Sequence, residues 1–203
     1  MPLDADTRAR IATLIDSNPV ILFMKGTRER PQCGFSAQTV EILDGLIPDY
    51  QTFDVLSDPA VREGIKEYSS WPTIPQLYVK GELIGGCDIV RDLYASGELF
   101  AKLGVPEPER VAPELVITDA AAEALQRAAE QSPDAVLHLK IDARFENGIY
   151  LGPALDGEVE VESNGVRVRL DPASAQRARG VTIDVTSTER GPAFTIRNPN
   201  ANA

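Results

Sequence analysis

The chain has 203 residues, 43% of them hydrophobic, with 31 acidic against 20 basic residues and a formal net charge of −11. That length suits one large or two small domains with apolar content enough for a core in each, and the acidic excess, present in both halves, leaves no basic face for the phosphate backbone of a nucleic acid. No apolar run approaches the ~20 residues of a membrane span, no basic patch followed by an apolar stretch marks a secretory signal at the N-terminus, and two cysteines, Cys33 and Cys87, are too few to staple a secreted domain and fit a reducing cytoplasm.

In chain order, residues 4–17 read as a helix with Ile11, Leu14 and Ile15 on one apolar face, ended by Asn18-Pro19. The continuous run Val20-Ile21-Leu22-Phe23-Met24 is short enough for a strand buried on both faces. A polar loop, 26–32, precedes a helix over 36–46 with Val40, Leu43 and Ile47 inward, and 51–55 is a second strand. Asp58-Pro59 sets an N-cap and first-turn proline for a helix ending near Tyr68. Trp71-Pro72-Thr73-Ile74-Pro75 cannot be helical, residues 76–79 and 82–84 form a hairpin, and a helix follows from Asp88. This order describes a small α/β sheet domain over 1–105.

Residues 106–113, with Pro106, Pro108 and Pro113, read as a semi-rigid linker to a second domain over 114–203. There a strand over 115–117 leads through Thr118 or Asp119 into an alanine-rich helix, and 136–141 alternates as a strand. Asn164-Gly165 is the preferred type I′ hairpin turn, and it fixes the pairing of Glu162 with Arg167, Val161 with Val168, Glu160 with Arg169 and Val159 with Leu170. A short helix over 172–179 and strands over 181–185 and 194–197 complete a β-rich α+β domain.

The chemistry concentrates at Cys33, placed where a helix begins after a polar loop. Unpaired N–H groups and the helix dipole favour a thiolate at such a position, so its pKa is expected to be lowered, with Lys25 adding a positive charge and Gly34 permitting a ligand to approach closely. Ser36 stands where a dithiol motif would have its second cysteine. Cys87 reads as a small residue in a glycine-rich turn rather than as a resolving thiol, Trp71 and Tyr78 as partial core, and Arg28 and Arg30 as solvated loop charges.

Lys25-Gly26-Thr27, a spacer ending in Gln32, then Cys33-Gly34-Phe35-Ser36, Trp71-Pro72-Thr73-Ile74-Pro75-Gln76-Leu77 and Gly81-Glu82-Leu83-Ile84-Gly85-Gly86-Cys87-Asp88-Ile89 resemble the monothiol (CGFS-type) glutaredoxins. The resemblance runs from about Ile11 to Leu103 and implies a thioredoxin-like fold, a mixed sheet flanked by helices, with a glutathione site. It implies that Lys25 and Arg62 pair with the glycine carboxylate of glutathione, and that Thr73, Ile74 and a cis Pro75 present backbone groups to the tripeptide. By the same resemblance the amides of Cys87 and Asp88 hold the γ-glutamyl carboxylate, Asp88 meets the ammonium, and Gly34, Phe35 and Gly86 complete the set. Ile74 departs from the family, which often has an aromatic residue there.

The second half, through Leu115-Val116-Ile117-Thr118-Asp119, Gly165-Val166-Arg167-Val168-Arg169-Leu170-Asp171-Pro172, Gly180-Val181-Thr182-Ile183-Asp184 and Phe194-Thr195-Ile196-Arg197-Asn198-Pro199, is similar to A-type iron–sulfur carriers (HesB-like). Those carriers have one cysteine in a mid-chain loop and two near the C-terminus; here the corresponding loop, near residues 145–150, has none, and the sequence closes at Ala203 without a Cys-Gly-Cys motif. His138, the single histidine, reads as a surface or packing residue.

Together the resemblances imply a carrier of a [2Fe–2S] cluster. Cys33 of each of two protomers and two glutathiones would be its ligands, the homodimer would form when the cluster binds, and iron–sulfur assembly or recipient proteins would be its partners. The rival expectations are a glutathione-dependent thiol–disulfide oxidoreductase acting through Cys33 and a non-catalytic adaptor.

Overall fold

The computed structural model describes residues 3–155, 157–188 and 191–201. It divides into two compact units, Met1–Glu107 and Pro108–Ala203. Among the described residues no helix is long and apolar enough to cross a membrane.

The first unit has the element order α1 (Ala5–Asp16), β1 (Val20–Met24), α2 (Gly34–Leu46), β2 (Gln51–Asp54), α3 (Pro59–Tyr68), β3 (Gln76–Val79), β4 (Glu82–Gly85), α4 (Cys87–Ser96) and α5 (Glu98–Leu103). The four strands form one sheet in the order β2-β1-β3-β4, with β1 parallel to β2 and the other pairs antiparallel. β1 is apolar throughout because both faces are covered. Ile21 and Phe23 join the core under α1 and α3, while Leu22 and Met24 join the core under α2, α4 and α5. Capping is local and legible: the Asp4 and Asp58 side chains accept from the backbone N–H groups of Thr7 and Val61, and Pro59 occupies the first turn of α3. The helix expected from Asp88 is two helices, since the chain turns at Gly97 in a left-handed conformation before α5.

The second unit comprises β5 (Leu115–Ile117), α6 (Asp119–Glu130), β6 (Val136–Ile141), β7 (Asn147–Gly152), β8 (Val159–Ser163), β9 (Val166–Leu170), α7 (Pro172–Arg177), β10 (Val181–Thr188) and β11 (Gly191–Arg197). A three-stranded sheet, β11-β10-β5, and a four-stranded sheet, β7-β6-β9-β8, share one core with α6 and α7. Thr118 is the N-cap of α6, its hydroxyl accepting from the Ala121 N–H. The β8–β9 hairpin has the register that its turn dictates, Glu162 opposite Arg167 through Val159 opposite Leu170, with Asn164 and Gly165 both at positive φ.

Segment 145–150 is not the loop expected from sequence: the turn lies over 142–146, and β7 begins at Asn147. Ile149 and Leu151 alternate into the core, with period two.

His138 lies across β6 from Leu137 and Leu139, yet it is only 2% exposed. Its Nδ1 is 2.8 Å from Glu158 Oε1, its Nε2 is 3.1 Å from the Pro153 carbonyl, and its ring stacks on Tyr150. Glu158 Oε2 also accepts from the Leu155 N–H, so the pair fastens the segment after β7 onto β6. Glu158→Ala would leave the imidazole buried without its anionic partner. Urea unfolding of the full chain is expected to show a loss of about 1–3 kcal/mol in the second unit, and an unchanged midpoint would refute this role.

Candidate functional site

A cleft of about 460 Å³ in the first unit collects most of the residues singled out from sequence: Lys25, Cys33, Phe35, Arg62, Thr73, Ile74, Pro75, Gly86, Cys87 and Asp88. The topology explains the convergence. β1 ends at Met24, delivering Lys25 and the loop that runs to Cys33; α3 brings Arg62 from one face of the sheet; α2 and α4 bring their N-termini from the other. Gly34 does not line the cleft, but a Cβ there would meet no protein atom within 4 Å, so the space over the α2 N-terminus is open.

Cys33 is the N-cap of α2, in extended conformation, and its half-exposed thiol sits over the first turn. Burial pushes this thiol up. The N–H groups of Ser36 and Phe35, the Lys25 ammonium and the Ser36 hydroxyl pull it down, and the result lies below the ordinary value. Ser36 is fully buried and works in two directions: its oxygen accepts from the Lys25 N–H at 3.2 Å, and its hydroxyl turns toward the sulfur. The residue in the second-cysteine position thus couples the end of β1 to the thiol.

Cys87 also lines the cleft but is buried, and its thiol donates to Gln38 Oε1 at 3.4 Å. With Gly86 as N-cap, Cys87 and Asp88 form the first turn of α4, where helix N–H groups lack intrahelical acceptors. The cleft therefore has two helix N-termini, one carrying a sulfur and one free to take a carboxylate.

The Ile74–Pro75 peptide bond is cis, and both residues are buried. Behind this wall lies a residue that the sequence reading passed over. Gln76 is fully buried; its amide donates to the Trp71 carbonyl at 2.9 Å and the Thr73 carbonyl at 3.1 Å, while its oxygen accepts from the Tyr78 hydroxyl. A glutamine opening an otherwise apolar strand was the available signal. Lys66, Trp71, Pro72 and Ile89 also line the cleft and were not expected there. Trp71 Nε1–H donates to Thr73 Oγ1 at 3.1 Å, which orients the indole along the rim. Tyr78 is core, edge-on to Phe23, and burial pushes its phenol up to about 12.

The cleft is polarised. Arg62 and Lys66 come from α3 and Lys25 from just after β1, whereas Asp88 comes from α4. Arg62 is engaged only loosely, 3.9 Å from Glu63, and its Nε is buried without a hydrogen-bond partner. Phe35, 57% exposed, and Ile89 give the mouth an apolar rim.

Arg28 is not a solvated loop charge. Its side chain is 8% exposed, with Nε donating to Asp44 Oδ1 at 2.7 Å, Nη2 to the Pro48 carbonyl at 3.2 Å, and the guanidinium 4.1 Å from the centre of the Tyr50 ring. Sequence alone could not reveal this, because the partners come from the last turn of α2 and the segment after it.

A four-stranded mixed sheet in this order with helices on both faces, a cis proline opening β3 and a single cysteine capping the helix after β1 define a thioredoxin-like protein with a one-thiol site. The glutaredoxin family matches residues 20–84. An uncharacterized monothiol glutaredoxin (ycf64-like) of Synechocystis sp. is 53% identical over 103 residues, 51% of this chain and 96% of that protein. The mitochondrial monothiol glutaredoxin-5 of Saccharomyces cerevisiae is 50% identical over 117 residues, 54% of this chain and 78% of its own length. The solution structure of reduced poplar apo GrxS14 is 45% identical, covering 51% of this chain and 95% of its own, with a TM-score of 0.46. The chain belongs, through its N-terminal half, to the monothiol glutaredoxin family; a β-rich second unit follows.

The lowered Cys33 thiol has a direct consequence. Its alkylation by iodoacetamide is expected to follow a pH midpoint below the ~8.5 of a free thiol. Because the folded pKa is depressed, ionisation of Cys33 adds stability above the unfolded value, and that contribution disappears as pH falls through the folded value. Ser36→Ala removes the hydroxyl and should raise the midpoint; an identical pH profile would show that the hydroxyl does not act on the sulfur.

Proposed function

We propose that this protein binds a [2Fe–2S] cluster between two copies of the chain and passes it to other proteins. Cys33 and glutathione would be the ligands. The observation that carries the reading is the isolation of one activated thiol. Cys33 is half-exposed with a lowered pKa, Ser36 occupies the place of a dithiol partner, and Cys87 is buried and engaged with Gln38. Such a cluster takes four thiolates. One chain offers a single accessible one, two chains offer two, and two glutathiones complete the set. Ligands that can leave make the cluster transferable cargo.

The cleft suits glutathione by its chemistry. Lys25 and Arg62 are cations for the glycine carboxylate. Thr73, Ile74 and Pro75 form an extended wall for the peptide, and the first turn of α4, at Gly86 and Cys87, supplies N–H donors for the second carboxylate with Asp88 near the ammonium. The apolar rim at Phe35 and Ile89 would face the second copy. In the second unit, the resemblance to A-type iron–sulfur carriers without their cysteines supports a role in docking iron–sulfur assembly or recipient proteins. A reducing compartment such as the cytoplasm would keep Cys33 free.

The test is reconstitution of the full chain with iron, sulfide and glutathione, followed by visible spectroscopy and native mass measurement. A coloured dimer is expected, lost in Cys33→Ser and when glutathione is left out. Colourless protein with rapid turnover of a glutathionylated substrate would overturn the carrier reading in favour of thiol–disulfide exchange. In that reaction Cys33 takes the glutathionyl sulfur, releases the substrate thiol, and is freed by a second glutathione with formation of glutathione disulfide. Separately, Arg62→Ala is expected to weaken glutathione binding by about tenfold in calorimetry, and unchanged affinity would remove Arg62 from the site.

A further inference from the structure

The loop between Lys25 and Cys33 is a closed miniature hairpin. Gly26 bridges to Pro31, Thr27 and Arg30 exchange backbone hydrogen bonds at 3.2 Å, and the Gln32 N–H donates to the Lys25 carbonyl at 2.9 Å. Gly26, at φ +85°, permits this closure, because a Cβ there would lie 2.4 Å from the Arg30 carbonyl oxygen. A unit so tightly bonded moves as one body, and its position is set by where its tip and base are fastened. The base is held by the Gly26 N–H to Asp54 Oδ1 at 2.8 Å and by the Lys25 N–H to Ser36 Oγ.

The tip is fastened through the Arg28 side chain. Asp44 lies ten residues into α2 from Gly34, about 15 Å along the helix axis from the end that carries Cys33. Arg28 therefore folds the hairpin back along α2 and grips it there through Asp44, the Pro48 carbonyl and the face of Tyr50, whose own hydroxyl donates to the same Asp44 oxygen at 2.9 Å.

We propose that Arg28 is a positioning residue for the reactive centre: by clamping the hairpin tip to Asp44, Pro48 and Tyr50, it holds the Lys25 ammonium in register with the Cys33 sulfur. Arg suits the task, since a planar guanidinium can stack on Tyr50 while donating to two acceptors, which the Lys ammonium cannot. The inference needs neither glutathione nor cluster, so it stands or falls apart from the carrier reading.

The test compares alkylation of Cys33 by anionic iodoacetate and by neutral iodoacetamide, followed on the Cys33 peptide by mass spectrometry. Both reagents attack the same thiolate, so their rate ratio cancels the degree of ionisation and reports the positive field at the sulfur. Arg28→Lys keeps the charge and loses the clamp, and the ratio is expected to fall about threefold. Asp44→Ala removes a negative charge, which by charge alone would raise the ratio, whereas loss of the clamp lowers it. A fall in both variants supports the proposal. A wild-type ratio in Arg28→Lys overturns it, whether or not the unfolding temperature drops, and so does a raised ratio in folded Asp44→Ala.

Discussion

The functional cleft depends on one placement: a cysteine sulfur at the N-cap of α2, where the backbone has N–H groups to spare. The N–H groups of Phe35 and Ser36 aim at the sulfur and the Ser36 hydroxyl adds a further donor, so the anion is stabilised by dipoles already fixed when the helix forms. Such stabilisation carries no reorganisation cost at the moment a disulfide, an alkylating agent or an iron ion approaches. Burial acts against it, and the half-exposed position of Cys33 keeps that opposition small enough to lose.

The surrounding architecture preserves this placement and frames it. The sheet order β2-β1-β3-β4 puts the end of β1 at the centre, with α3 on one face and α2 and α4 on the other, so cations and helix N-termini from separate parts of the chain meet in one cleft. Gln76 is the buried tie behind the cleft wall: all its amide hydrogen-bonding groups are directed to Trp71, Thr73 and Tyr78, which shapes a segment where Pro72 and Pro75 lack backbone donors. The second thiol is set apart from the first by chemistry as well as by place, since Cys87 is buried and donates to Gln38 while Cys33 accepts.

The second unit has a different logic. Its core comes from two small sheets and two helices, and a buried ionisable pair, His138 with Glu158, ties a surface segment to β6 rather than forming a reactive centre. Both imidazole nitrogens face oxygen acceptors and Tyr150 covers the ring, so the histidine is committed to holding the fold. Reactive sulfur and buried histidine are thus segregated between the two units.

Sequence by itself determined the elements whose signals are local. The β1 run, the capped start of α3, the Asn164-Gly165 hairpin with its register, and the placement of Cys33 at the start of a helix all follow from patterns a few residues long. It also indicated most of the cleft, because the motifs resembling the monothiol glutaredoxins identify those residues even though they lie far apart in the chain. Tertiary structure alone decided the rest: that Arg28 is a clamp rather than a solvated charge, that Gln76 ties the cleft wall, that 147–152 is a strand, and that His138 is sealed by Glu158 and Tyr150. In each of these cases the deciding partner comes from another element, and whether a polar group meets water or a buried acceptor is settled only when those elements pack together.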